Sequence, residues 1–300
     1  MTVQSRINTR TAIRVTDRVV TPANGKAALL GKGMNLLHRA LPTLAGNAVE
    51  HLFFTPRRLP APGRYESLYD QAEGYTQLRV GRQTIPVYSW GFGPTVLMVH
   101  GWSGAGIQFG AFVGLLVKAG YRVVAFDAPA HGRAQGLRTD LFEMSEAVYR
   151  VAHSFGPLKA VVAHSIGGLA LARAMVDGVQ AEHVFLLAPP RNLESVVEGF
   201  GRTLGLSPEL IAGQRARMEQ RFGASVWQQF SFDTLAPELS GRALIFVDRD
   251  DQQIPVGESE TVFGKWPNAQ IFRTQGLGHY RLLWHPQVVE RVYDRLSGVE

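Results

Sequence analysis

Cysteine is absent from the chain. No disulfide, thiolate metal site or cysteine nucleophile is therefore available, and the composition fits a reducing cytoplasm. Long apolar runs are absent too. No stretch of about 18 residues is both uncharged and continuously apolar, so the sequence predicts no membrane span. Arg6, Arg10, Arg14, Asp17 and Arg18 interrupt the amino terminus, which excludes the apolar centre of a secretion signal. No His-Glu-X-X-His segment occurs, and His38, His51, His153, His183 and His285 show no ligand spacing, so no metal is expected. A strand-borne Gly-X-Gly-X-X-Gly and a phosphate-loop lysine are also missing. No cofactor of nucleotide type is expected on that ground.

Acidic residues are scarce only at the start. Residues 1–64 hold ten Lys/Arg and two Asp/Glu, while the other 236 hold 21 and 23. The net charge of +6 therefore belongs to the amino-terminal extension. A basic arm is commonly just solvated, but it can also rest on an anionic membrane surface. Its arginines are scattered and lack interleaved aromatics, so no nucleic-acid partner is expected. Within the extension, Leu29, Leu30, Met34, Leu37 and Leu41 recur at spacings of three and four, which predicts a helix over 25–40. Pro42 ends it and opens another, with Leu44, Val49, Leu52 and Phe53 on one face. Packing of this pair on the main domain is the expectation; a membrane anchor or a flap over a substrate entrance is the alternative. Thr55 to Gly63, with three prolines, reads as a linker.

From residue 65 onward the pattern is one large unit. Tyr75–Val80 and Gln83–Trp90 predict a hairpin around Gly81-Arg82. Short apolar runs then alternate with helical segments: strands at 95–100, 121–126, 158–163, 183–187, 243–247 and 269–273, with helices at 111–119, from Asp140 to Gly156, at 167–176 and at 287–296. Asp140 and Glu143 predict a capping box. This alternation implies an α/β fold with a mostly parallel, doubly wound sheet covered by helices on both faces. Ligands in such sheets bind beyond the carboxyl ends of the strands.

Three strand-end loops carry chemistry. The first reads Ala163-His164-Ser165-Ile166-Gly167, a strand entering a helix through small-X-Ser-X-Gly. The second reads Asp248-Arg249-Asp250-Asp251. The third reads Gly276-Leu277-Gly278-His279. Each alone has a bland reading: a loop serine, an acidic surface loop, an idle histidine. Together, Ser, then Asp, then His past successive strands is the order that a nucleophile, an orienting acid and a general base require in this architecture.

Residues from about Tyr75 to the carboxyl terminus resemble the α/β-hydrolase superfamily. His100-Gly101-Trp102-Ser103-Gly104 is similar to its oxyanion loop. Asp127-Ala128-Pro129-Ala130-His131-Gly132 is similar to its Asp-X-Pro-Gly-His-Gly turn. Asp251-Gln252-Gln253-Ile254-Pro255 is similar to its Asp-X-X-Val-Pro. The resemblance implies catalytic Ser165, His279 and Asp251, and an oxyanion hole from the backbone N–H groups of Trp102 and Ile166. It also implies a helical cap at about 190–240, where Leu193–Thr203, Pro208–Arg221 and Ser225–Phe230 read as helices. Ala163, Ala130 and Asp248 depart from the pattern without removing a reactive atom. His100 and His131 are expected to support loops. Trp102 and His164 are placed beside the substrate, with His164 alternatively packing behind the elbow. Arg202, Arg215, Arg217 and Arg221 either steer an acidic substrate or form a solvated helix face.

The expected activity is carboxylic ester hydrolysis of a small-molecule ester or lipid. Two alternatives stay open: a membrane-surface lipase or acyltransferase docked through residues 1–54, and a ligand-binding hydrolase fold without catalysis.

Overall fold

A computed structural model describes residues 24–60 and 62–298. Residues 1–23, which carry the arginines at the start of the sequence, lie outside them. The first described elements are helices α1 (Asn24–Ala40) and α2 (Pro42–Phe53), joined at Leu41 where Pro42 begins a new helix. An extended strap and a short helical turn at Gly63–Leu68 lead into the sheet.

The remaining elements alternate. They run β1 (Gly74–Val80), β2 (Gln83–Trp90), β3 (Thr95–Val99), α3 (Gly110–Lys118), β4 (Arg122–Phe126), α4 (Leu141–Phe155), β5 (Leu158–His164), α5 (Gly167–Val176) and β6 (Ala181–Leu187). After the insertion come β7 (Arg242–Asp248), α10 (Val256–Lys265), β8 (Gln270–Thr274), α11 (Gly278–Arg281) and α12 (Pro286–Ser297). The eight strands form one sheet in the order β1-β2-β4-β3-β5-β6-β7-β8. β1 and β2 form an antiparallel hairpin, β2 pairs antiparallel with β4, and every other pairing is parallel. The middle strands are almost wholly buried because both faces are covered, which is why they read as unbroken apolar runs. On one face, Met144, Val148, Leu169 and Val262 from α4, α5 and α10 fill the core. On the other, Phe112, Leu116, Val288 and Val292 from α3 and α12 do so. Asp140 caps α4 as its sequence predicts, its side chain accepting from the Glu143 N–H at 3.1 Å.

The insertion between β6 and β7 is helical. It contains α6 (Leu193–Leu204), α7 (Pro208–Phe222), α8 (Val226–Gln229) and α9 (Phe232–Leu235). Asn192 caps α6 by accepting from the Ser195 N–H at 2.8 Å, and Ser207 caps α7. The amino-terminal pair does not pack mainly on the sheet domain. It packs on this insertion, α1 against α6 and α2 against α7. Ala27, Ala45 and Val49 share one buried cluster with Leu204, Leu206 and Leu210.

Candidate active site

The carboxyl ends of β5, β7 and β8 deliver Ser165, Asp251 and His279 to one edge of the sheet. Ser165 occupies the turn between β5 and α5 with φ of 54°, a left-handed conformation that a residue with a Cβ avoids unless its surroundings impose it. Here they do. The Ser165 N–H donates to the Leu187 carbonyl at 2.9 Å, and its own carbonyl accepts from Gly168 at 2.9 Å. The turn needs glycine two residues on: a Cβ on Gly167 would stand 2.5 Å from the His100 carbonyl oxygen. No such conflict arises two residues before, where Ala163 lies buried within the strand.

His279 sits on the single turn α11 and is buried. Its Nδ1 donates to Asp251 Oδ2 at 2.7 Å. The other Asp251 oxygen accepts from the backbone N–H groups of Gln253 and Ile254, at 2.8 and 2.9 Å. Three accepted hydrogen bonds leave the carboxylate little freedom to turn away. His279 and Ser165 border one narrow cleft of about 170 Å³, with Gly101, Trp102, His164 and Tyr280.

The other two acids of the loop have distinct partners. Asp248 accepts from Thr274 Oγ1 at 2.7 Å and from the N–H groups of Leu277, Gly278 and Asp250, each at 2.9 Å. Asp250 accepts from the Gly276 N–H at 2.9 Å. Both therefore tie down the loop that carries His279. Burial would raise the Asp248 carboxyl, but the hydrogen bonds from Thr274, Gly278, Leu277 and Asp250 outweigh it and hold the group below the usual carboxylate range. A depressed folded pKa stabilises the fold above the ordinary carboxylate range and is lost as pH falls through the folded value. We therefore expect Asp248→Asn to lower stability by about 2 kcal/mol near neutrality. Thermal melts at neutral and acid pH should show the gap to the wild type closing as pH falls; a gap that widens in acid contradicts this role.

The loop that follows β3 is held from below. His100 Nε2 accepts from the Ala128 N–H at 2.9 Å while its Nδ1 faces the Gly101 carbonyl at 2.8 Å. Asp127, fully buried, accepts from Gly106 and Arg133 N–H groups at 2.8 Å each. Burial pushes His100 down, and pushes His131 down to about 3, so both act as neutral scaffolding. Ala130, where the resembling turn has glycine, adopts φ of 63° and is buried. From above, the strap touches the loop, the Arg57 N–H donating to Ser103 Oγ at 2.9 Å. Among the described residues, neither the Trp102 nor the Ile166 backbone N–H donates to a protein acceptor. Ile166 also stands at the amino end of α5, where the helix dipole favours negative charge.

His164 is buried behind His279. Its Nε2 donates to the His279 carbonyl at 3.0 Å and the two rings lie 4.6 Å apart. It borders the narrow cleft together with Ser165 and His279, but not the large cavity. Trp102 borders both.

The large cavity measures about 580 Å³ and runs from Ser165, Ile166 and Trp102 under the insertion. Its walls include Phe142, Leu193, Val196, Phe200, Met218, Phe222 and Phe230. Phe53 and Phe54, from the end of α2, complete it. Gln253 and Tyr280, neighbours in sequence of Asp251 and His279, border both spaces. The insertion's arginines are engaged: Arg215 with Glu194 at 2.5 Å, Arg217 with Glu50 at 3.8 Å, and Arg221 with Asp140 at 3.3 Å. Only Arg202 of the four borders the cavity, and it lies 3.8 Å from Glu198. Arg215, Arg217 and Arg221 tie α7 to neighbouring elements, whereas Arg202 pairs within α6.

A mostly parallel sheet with a strained strand–serine–helix turn at its carboxyl edge defines a hydrolase of the α/β class. The chain belongs to the alpha/beta hydrolase family, whose model matches residues 96–292. No curated protein matches the chain by sequence. Among solved structures, it is similar to an esterase of Pyrococcus furiosus, with 18% identity over 81% of this chain and 96% of that one and a TM-score of 0.61. It is also similar to an esterase of Exiguobacterium antarcticum, with 16% identity over 74% and 99% and a TM-score of 0.57. A bromoperoxidase of Bacillus anthracis gives 16% identity over 75% and 100%, also with a TM-score of 0.57. Identities this low speak for the fold. Among the described residues, no helix is long and apolar enough to cross a membrane.

Proposed function

We propose that the chain is a serine hydrolase that cleaves a carboxylic ester through an acyl-enzyme. The observation that carries this reading is the His279–Asp251 hydrogen bond of 2.7 Å beside a cleft shared with the strained Ser165. A serine hydroxyl becomes nucleophilic when a base removes its proton. His279 Nε2 takes it as Oγ bonds to the ester carbonyl carbon, and Asp251 stabilises the imidazolium. The N–H groups of Trp102 and Ile166 receive the oxyanion. The ester C–O bond breaks, His279 protonates the departing alcohol, and a water activated by the same base releases the acid.

The cavity favours an apolar acyl chain over a charged one, since its walls are aromatic and aliphatic. Three esterases of known structure share the fold at low identity, which agrees with an ester substrate. A panel of p-nitrophenyl esters of increasing chain length tests the substrate class, and fluorophosphonate labelling tests the nucleophile. The reading requires ester turnover and a covalent label on Ser165; a chain that neither turns over esters nor takes the label is a binding protein on a hydrolase scaffold.

Gly199 gives a handle on chain length. It lines the cavity from α6, and a Cβ there would meet only the Arg202 side chain, at 3.7 Å. We expect Gly199→Leu to lower kcat/KM for long-chain esters about tenfold while sparing acetate, because occupied volume excludes terminal methylenes. Equal effects on both esters would place the acyl chain elsewhere.

A further inference from the structure

The helix pair α1–α2 has an inner face whose role is clear. Asn35 bridges it to the insertion, donating to the Gly205 carbonyl and accepting from the Ser207 N–H, both at 2.8 Å. Gly31 lets α1 lie directly on the end of α6, since a Cβ there would stand 1.6 Å from the Leu204 carbonyl oxygen. Glu50 faces Arg217 and Arg221.

The outer face is built differently. Leu29 is 71% exposed, Leu36 68%, Leu41 53% and Leu44 54%. Leu29 and Leu36 are two turns apart and therefore point the same way. Lys26, Lys32 and Arg39 are exposed alongside this ridge. By helical geometry Lys26 falls on one side of it, and Lys32 and Arg39 on the other. No acidic residue occurs among the exposed positions of the two helices. Ordinary surface helices put mixed charge outward; a ridge of leucines between cations is the pattern of a helix lying in a bilayer interface. Long basic side chains can lay their stems along the apolar ridge and hold their charges at the headgroups.

We infer that the outer face of α1–α2 docks on an anionic lipid surface, with Leu29, Leu36 and Leu44 entering the acyl boundary and Lys26, Lys32 and Arg39 meeting the headgroups. Charge complementarity selects this occupant over a second copy of the chain, which would oppose like charges. Each cation near such a surface adds electrostatic attraction, and each buried leucine adds its apolar area. The same helices roof the large cavity: Phe53 of α2 lines it together with Phe200 and Thr203 of α6, on which α1 rests. Docking therefore sets the roof of the acyl cavity against the lipid. That last consequence rests on the ester reading; the docking itself does not.

The test uses the full chain in co-sedimentation with vesicles of phosphatidylcholine alone or mixed with phosphatidylserine. Two variants accompany it: Leu29→Ser/Leu36→Ser/Leu44→Ser and Lys26→Glu/Lys32→Glu/Arg39→Glu. Circular dichroism confirms that each is folded. Binding to the anionic vesicles, weakened by salt and reduced about tenfold or more in either variant, is the expected result. Turnover of a soluble p-nitrophenyl ester should be unchanged in both. Binding that neither variant diminishes, or absence of binding to anionic vesicles, overturns the proposal. So does a wild-type dimer that the leucine variant converts to monomer without any lipid binding.

Discussion

Ser165→Ala is expected to lower kcat on a short p-nitrophenyl ester by about 10⁴-fold or more, with KM little changed. The substitution removes one oxygen and keeps the Cβ, so the left-handed turn and its hydrogen bonds to Leu187 and Gly168 persist. The remaining rate would come from the oxyanion donors and from binding alone. Folding is therefore not the variable under test. A variant that keeps its esterase rate would remove Ser165 from the chemistry altogether.

Asp251→Asn should cost about as much, roughly 10⁴-fold in kcat, for a different reason. The carboxylate holds the Nδ1 proton of His279 and leaves Nε2 free to accept. An amide can present its NH₂ group to Nδ1 instead. The imidazole proton then moves to Nε2, and the base proposed for the serine proton is no longer free to accept it. The backbone N–H groups of Gln253 and Ile254 still find an oxygen, so the loop keeps its shape. Asp248→Asn is the informative comparison, because that acid reaches the imidazole only through the loop. It should trade stability for activity in the opposite proportion. Should Asp248→Asn abolish turnover while Asp251→Asn spares it, the orienting acid has been chosen wrongly.

Much of this arrangement is visible in the sequence, for identifiable reasons. Strands β3 to β7 are buried on both faces, so their apolar runs stand out. The serine, acid and histidine loops stand out because each follows such a run. Helix α10 escapes notice. Val256–Lys265 is short and follows the acid loop directly, and it buries little beyond Ser259 and Val262. The role of Asp248 is equally hidden, since three acids within four residues look alike until the Thr274 hydroxyl and the Leu277 and Gly278 N–H groups are placed. Phe53 and Phe54 belong to the cavity only because α2 crosses the insertion. That contact joins residues far apart in the chain, and no local periodicity encodes it.

The Asn35–Gly205 hydrogen bond spans 170 residues. Ribosomes add about 5–20 residues per second, so the amino-terminal helices exist for on the order of ten seconds before the segment they seat upon has been made. The roof is thus manufactured first and fitted late. During that interval its inner face has no partner in the nascent chain, because Ala27, Ala45 and Val49 pack on Leu204, Leu206 and Leu210, which are still to be made.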